Sequence, residues 1–169
     1  MMNIRSMTIA AALVLASPAL AQQFTAGDIS VDKAWSRATP KGATVGAGYL
    51  TIHNNGAAPD KLMGGSSDVA ADVQVHEMSM KNGVMTMRQL TEGLAVPAKG
   101  SVTLAPSSYH LMLQGLKQPL VKGQTVKATL NFEHAGSLPI ELKVVGIGAM
   151  GLGGAKAPAA DSMKGMKMD

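Results

Sequence analysis

The sequence contains no cysteine, and that single absence removes several chemistries at once. There can be no disulfide, no thiolate nucleophile, no zinc–cysteine site and no blue-copper centre, which requires a cysteine ligand. A fold without staples must rest on its hydrophobic core, and 169 residues are enough to bury one. Aromatic residues are scarce, at one Trp, two Tyr and two Phe. No Lys/Arg cluster interleaves with them, so a formal net charge of +4 gives no argument for nucleic acid. No stretch of about ten residues carries a 3.6-residue apolar period, which argues against helices. Neither a Ser/His/Asp set nor a pair of carboxylates stands out, so nothing points to an enzyme.

Long apolar runs are also missing, apart from one at the start. Met1-Met2-Asn3-Ile4-Arg5 is followed by an apolar stretch from Met7 to Ala16 and then by Ala19-Leu20-Ala21. A basic head, a short apolar run and an A-x-A site make a secretory signal peptide over residues 1–21. The run is too short to be read as a membrane span. The mature chain is expected to start near Gln22 in the periplasm, with no stable membrane insertion after cleavage.

What remains reads as short strands between Gly, Pro and Asn turns. Gln22 to Asp28 is expected to be a loosely held lead-in. Ile29–Arg37 reads as the first strand with Trp35 as its core anchor, and Val45–His53 as the second. Lys61–Gly64 is a short candidate strand. Val69–Met80 and Val84–Leu90 form a hairpin, and Tyr109–Gln114, Gln124–Phe132 and Leu138–Val145 complete the set. Such spacing predicts an all-β sandwich or barrel. From Gly146 the composition shifts to Gly, Ala, Lys and Met, which reads as a disordered tail. The expected organisation is a leader over 1–21, one folded domain over 22–147 and a flexible Met-rich tail over 148–169.

Methionine is the residue in excess, with 13 in the chain. Methionine often fills irregular core gaps, so placement has to decide. In His76-Glu77-Met78-Ser79-Met80 the side-chain period of two puts His76, Met78 and Met80 on one face. Asn82-Gly83 reads as a type I′ turn. That turn sets Met80 against Met85, Met78 against Met87, and Glu77 against Arg88 on the opposite face. His76 then lies diagonal to Met87, roughly 7–8 Å away. His110-Leu111-Met112 again puts histidine and methionine on one face. Taken singly, each of these residues reads as ordinary surface or core. Together, in an exported chain without cysteine, they read as a metal site. Thioether sulfur suits Cu(I), imidazole suits copper among others, and no carboxylate joins to favour magnesium, calcium or manganese. Zinc sites do not use methionine. Cu(I) is the best fit.

From Ala34 to about Val145 the chain resembles the periplasmic copper chaperones of the PCuAC family. Their signature is His, ten residues, Met, about twenty-one residues, then His-x-Met. Here His76 is followed after ten residues by Met87, then after 22 residues by His110, Leu111 and Met112. The extra residue is expected in the Thr91–Gly100 loop. The flanks YLTIHNNG, HEMSM and YHLMLQGLKQPL are also similar to the family. The resemblance implies a cupredoxin-like Greek-key β-sandwich and the Cu(I) ligands His76, Met87, His110 and Met112. It further implies delivery of copper to the dinuclear CuA centre of cytochrome c oxidase, by contact with its copper subunit or through a Sco-type thiol protein. Met78 stands outside the family's ligand set, as a substitute donor or apolar shielding.

A copper buffering or tolerance protein without a dedicated acceptor would carry the same site. A monomer is expected. Met163, Met166 and Met168 in the tail suggest a second, weaker Cu(I) site, against the plainer reading of a solvated tail.

Overall fold

The computed structural model describes residues 22–153. Eleven strands follow in chain order: β1 (Phe24–Ala26), β2 (Ile29–Arg37), β3 (Val45–Asn54), β4 (Asp60–Ser67), β5 (Asp72–Lys81), β6 (Val84–Gln89), β7 (Leu94–Val96), β8 (Ser101–Leu104), β9 (Tyr109–Gln114), β10 (Thr125–Phe132) and β11 (Gly136–Val145). No helix occurs among the described residues. Pairing runs β2–β11–β10–β4–β5–β9–β3 and returns from β3 to β2. The cupredoxin-like sandwich is therefore closed along its edges. Within this circuit only β2 and β11 run parallel, and β4 meets β5 at the single register pair Gly65↔Val73. Closing the circuit removes sheet edges that would otherwise invite association.

Alternation fills the interior. Val31, Ile52, Leu62, Val96, Leu111, Leu113, Leu130 and Leu142 are fully buried in one contiguous core. Each such side chain contributes on the order of 1.5–3 kcal/mol relative to exposure. On β9 this inward pair, Leu111 and Leu113, fixes the outward direction of His110 and Met112. On β5, Val73 and Val75 do the same for Gln74 and His76.

Several elements differ from the sequence-based expectation. Trp35 is buried, but outside the main core: it forms a separate cluster with Tyr49 and Ala149, its ring centroid 4.4 Å from that of Tyr49. The cause is a bulge in β2. Lys33 adopts φ 51°, and the β2–β3 register shifts between Asp32 and Trp35. One extra residue reverses the alternation, so Ala34 enters the core and Trp35 leaves it. The short strand expected at Lys61–Gly64 is an eight-residue strand between β10 and β5. It tolerates glycine because a Cβ at Gly65 would stand 2.3 Å from the Thr129 carbonyl oxygen. The lead-in includes β1, paired with β2, and the Thr91–Gly100 loop includes β7, paired with β4.

The folded unit also reaches beyond Ile147. Ala149 is buried against Trp35 and Tyr49, and its carbonyl accepts a 2.8 Å hydrogen bond from Arg37 Nε. The expected leader (1–21) and the tail methionines Met163, Met166 and Met168 lie outside the described residues.

Candidate metal centre

The β5–β6 hairpin has the expected register: Glu77↔Arg88, Met78↔Met87, Met80↔Met85 and Lys81↔Val84. Asn82 and Gly83 both have positive φ, at 52° and 78°, as a type I′ turn requires. Arg88 Nη2 and Glu77 Oε2 are 2.7 Å apart across it.

Beyond its single pair with β4, β5 divides its pairing between two partners. Residues 72–77 pair with β9, and residues 76–81 pair with β6. His76 is in both sets. Across β5 and β9 it lies directly opposite His110, with ring centroids 5.8 Å apart and planes tilted by 41°. On the same face, Met112 is one step along, opposite Gln74 of β5 and Ala47 of β3. One step the other way, Met78 stands opposite Met87. The histidine pair is thus flanked by thioether-bearing residues on both sides. Met78, Met87 and His110 line a common groove with Arg37, Tyr49 and Met150. His53 and His134 are elsewhere, against Asp32 and Asp60 respectively.

Burial grades across the site. His76 is 8 % and His110 6 % exposed, whereas Met87 is 51 % exposed. Met78 and Met112 are half-buried. Met80, at 64 %, lies at the exposed end of the hairpin. Loss of water around the imidazoles disfavours their charged forms. Burial holds His76 below the ordinary histidine value, and repulsion from His110 adds to it. Burial likewise lowers His110, partly offset by the Ser108 carbonyl 3.4 Å from its Nδ1. Both rings are kept neutral, the form that ligates a metal.

Their hydrogen bonding leaves donors free. His76 Nε2 is 3.0 Å from Gln74 Oε1, while His76 Nδ1 is buried without any hydrogen-bond partner. A buried polar atom with no partner is costly, and a metal ion would satisfy this one. Among the described residues, no three His, Cys, Asp or Glu side chains are placed to hold a metal. The side chains beside the imidazoles, Met78, Met87 and Met112, are thioethers, which suit a soft ion better than zinc or calcium.

Three participants were not visible from the sequence reading. Gln74 and its neighbour Asp72 do carry a signal, since positions 72, 74 and 76 share one strand face. Met150 carries none, because its glycine-rich surroundings show no periodicity. Its sulfur nevertheless accepts a 3.3 Å contact from Arg37 Nη2.

Residues 29–144 match the model of a family described as LpqE-like, a lipoprotein family. Over 119 residues the chain is 36 % identical to a protein of Leifsonia xyli subsp. xyli named as a lipoprotein, Lxx21020, with 70 % of each chain covered. Among solved structures, the copper-bound PCuAC domain from PmoF2 superposes with a TM-score of 0.63 at 26 % identity, covering 74 % of this chain and 98 % of that one. The apo PCuAC domain from PmoF1 gives 0.63 at 27 %, covering 74 % and 99 %. The solution structure of CuI-DR1885 from Deinococcus radiodurans gives 0.55 at 29 %, covering 78 % and 85 %.

Proposed function

Because the chain belongs to the LpqE-like, PCuAC family, we propose that it is an exported copper chaperone that carries Cu(I) on His76, Met87, His110 and Met112. One observation carries the reading: His76 and His110 face each other on a buried strand pair, neutral, with thioethers to either side. The fold it shares with a copper-bound PCuAC domain supports it. The imidazoles, set in the buried part of the sheet, act as the fixed donors. The exposed thioether of Met87 acts as the donor that an incoming partner displaces first. Thioethers need no deprotonation and form no disulfides, so such a site persists in the oxidising periplasm. The family is one of copper carriers rather than an enzyme class.

The acceptor in this reading is the CuA centre of cytochrome c oxidase, reached directly or through a Sco-type thiol protein. Anaerobic titration of the mature protein with Cu(I), read by X-ray absorption, tests the site: one ion bound through nitrogen and sulfur is expected. Zinc competing equally for the same site would overturn it. Deleting the protein in its host at low copper tests the acceptor, because oxidase activity should fall and recover on copper supplementation.

A further inference from the structure

The outward face of β5 holds a chain of hydrogen bonds that ends on the candidate ligand His76. Gln74 Nε2 donates to Asp72 Oδ2 at 2.9 Å, and His76 Nε2 lies 3.0 Å from Gln74 Oε1. A carboxylate of an ionised Asp only accepts hydrogen bonds, so the amide nitrogen of Gln74 must face Asp72. The amide oxygen must then face His76. An amide oxygen also only accepts, so the imidazole nitrogen opposite it must carry the proton. That places the hydrogen of neutral His76 on Nε2 and the lone pair on Nδ1. Nδ1 is the nitrogen that is buried with no hydrogen-bond partner. His110 is arranged the other way round. Its Nδ1 lies 3.4 Å from the Ser108 carbonyl oxygen, which can only accept, so its lone pair falls on Nε2.

The geometry points to Asp72 and Gln74 as positioning residues that fix the His76 tautomer, so that copper is bound through Nδ1 of His76 and Nε2 of His110. This deepens the copper-carrier reading and rests on it for the metal, while the tautomer is a property of the metal-free protein. The two rings stand on directly opposed residues, with centroids 5.8 Å apart. Partners behind metal-bound histidines typically carry 10–100-fold in affinity, because they select the tautomer and hold the ring.

The test uses the full mature protein with 15N-labelled histidine. Long-range proton–nitrogen NMR of the metal-free protein at pH 8 should show His76 protonated on Nε2 and His110 on Nδ1. Gln74→Leu should lose the single His76 tautomer and weaken Cu(I) binding by about 10–100-fold, with an unchanged far-ultraviolet circular dichroism spectrum. Gln74→Glu keeps an accepting oxygen against His76 and should restore both the tautomer and most of the affinity. Asp72→Asn leaves all four proposed ligands untouched, so it separates positioning from packing; it should weaken affinity by less than Gln74→Leu does. A His76 ring protonated on Nδ1 in the parent protein would overturn the assignment. So would a Gln74→Leu protein that binds Cu(I) within twofold of the parent. If the parent showed the expected tautomers but bound no Cu(I), the carrier reading would fail instead.

Discussion

β5 lives in two environments. Its first half, from Asp72 to Glu77, is pinned between core and sheet, with Val73 and Val75 buried below and β9 alongside. Its second half, from Met78 to Lys81, leaves the closed circuit and pairs with β6, every residue of which is exposed. The two histidines belong to the first region and Met87 to the second. A carrier must both hold and release, and the strand separates these demands along its length. In the proposed site, the buried half would supply the nitrogen donors and the exposed half a sulfur donor open to solvent and to a partner.

The largest expected effect comes from breaking the pinned half. Leu111→Ala removes a fully buried side chain between His110 and Met112 and should cost about 2–5 kcal/mol of stability. Met85→Ala on the hairpin should stay within about 0.5 kcal/mol. Denaturant unfolding of the two variants measures the contrast, and equal losses would erase it.

Next come the sulfur donors. Met87→Leu and Met112→Leu roughly conserve volume and should change stability by less than about 1.5 kcal/mol. Each should still weaken Cu(I) binding by tenfold or more, about 1.4 kcal/mol, in competition against a Cu(I) chelator. Met80→Leu should match the parent. If all three bind as the parent does, the methionine stripe is packing alone.

Acidity should separate the two regions more gently. Both histidines have folded-state values below the usual ~6.5. As pH falls below about 6.5, the unfolded chain binds protons at these positions before the folded protein does. Stability of the metal-free protein is therefore complete above that pH and declines through the window down to the lowered folded values. Replacing His76 and His110 together should flatten that part of a melting-temperature profile. Cu(I) affinity of the folded protein should hold to a lower pH than a free imidazole would allow and then weaken. An affinity that never weakens with acid, down to the pH at which the metal-free protein unfolds, would exclude the histidines as ligands.

The smallest effect belongs to the ion pair that bridges β5 and β6. Arg88 is well exposed, so Arg88→Ala should cost no more than about 1 kcal/mol and leave Cu(I) affinity unchanged. A large loss of affinity would show that the hairpin is held as firmly as the sheet.

The hairpin and its register were legible because both signals are local: a two-residue turn and strict alternation. The facing of His76 and His110 could not be derived from alternation alone, since it depends on how β5 and β9 align across 34 positions of chain. Unbroken alternation would put Trp35 in the main core, and Lys33 carries no sequence mark of the bulge that moves it out. The full length of β4 is hidden in the sequence because Gly64 and Gly65 look like a turn. Within the strand, Gly65 is required by the close approach of the Thr129 backbone, and Gly64 by its φ of 140°. The packing of Ala149 was hidden for a related reason: it depends on Trp35 and Arg37, more than 110 positions away.

The exposure of Met87 has a further consequence, for damage. Of the four proposed ligands Met87 is the most open to solvent, so it meets peroxide or hypochlorite before the other three, and oxidation adds a hard, polar oxygen to the sulfur. If Met87 is the ligand proposed, a sulfoxide there would abolish a soft donor while leaving the buried imidazoles intact, so the protein would keep its fold and lose its grip on Cu(I). Oxidative stress would thus register at this one side chain before it reached the rest of the site, and recovery would depend on methionine sulfoxide reductase rather than on refolding.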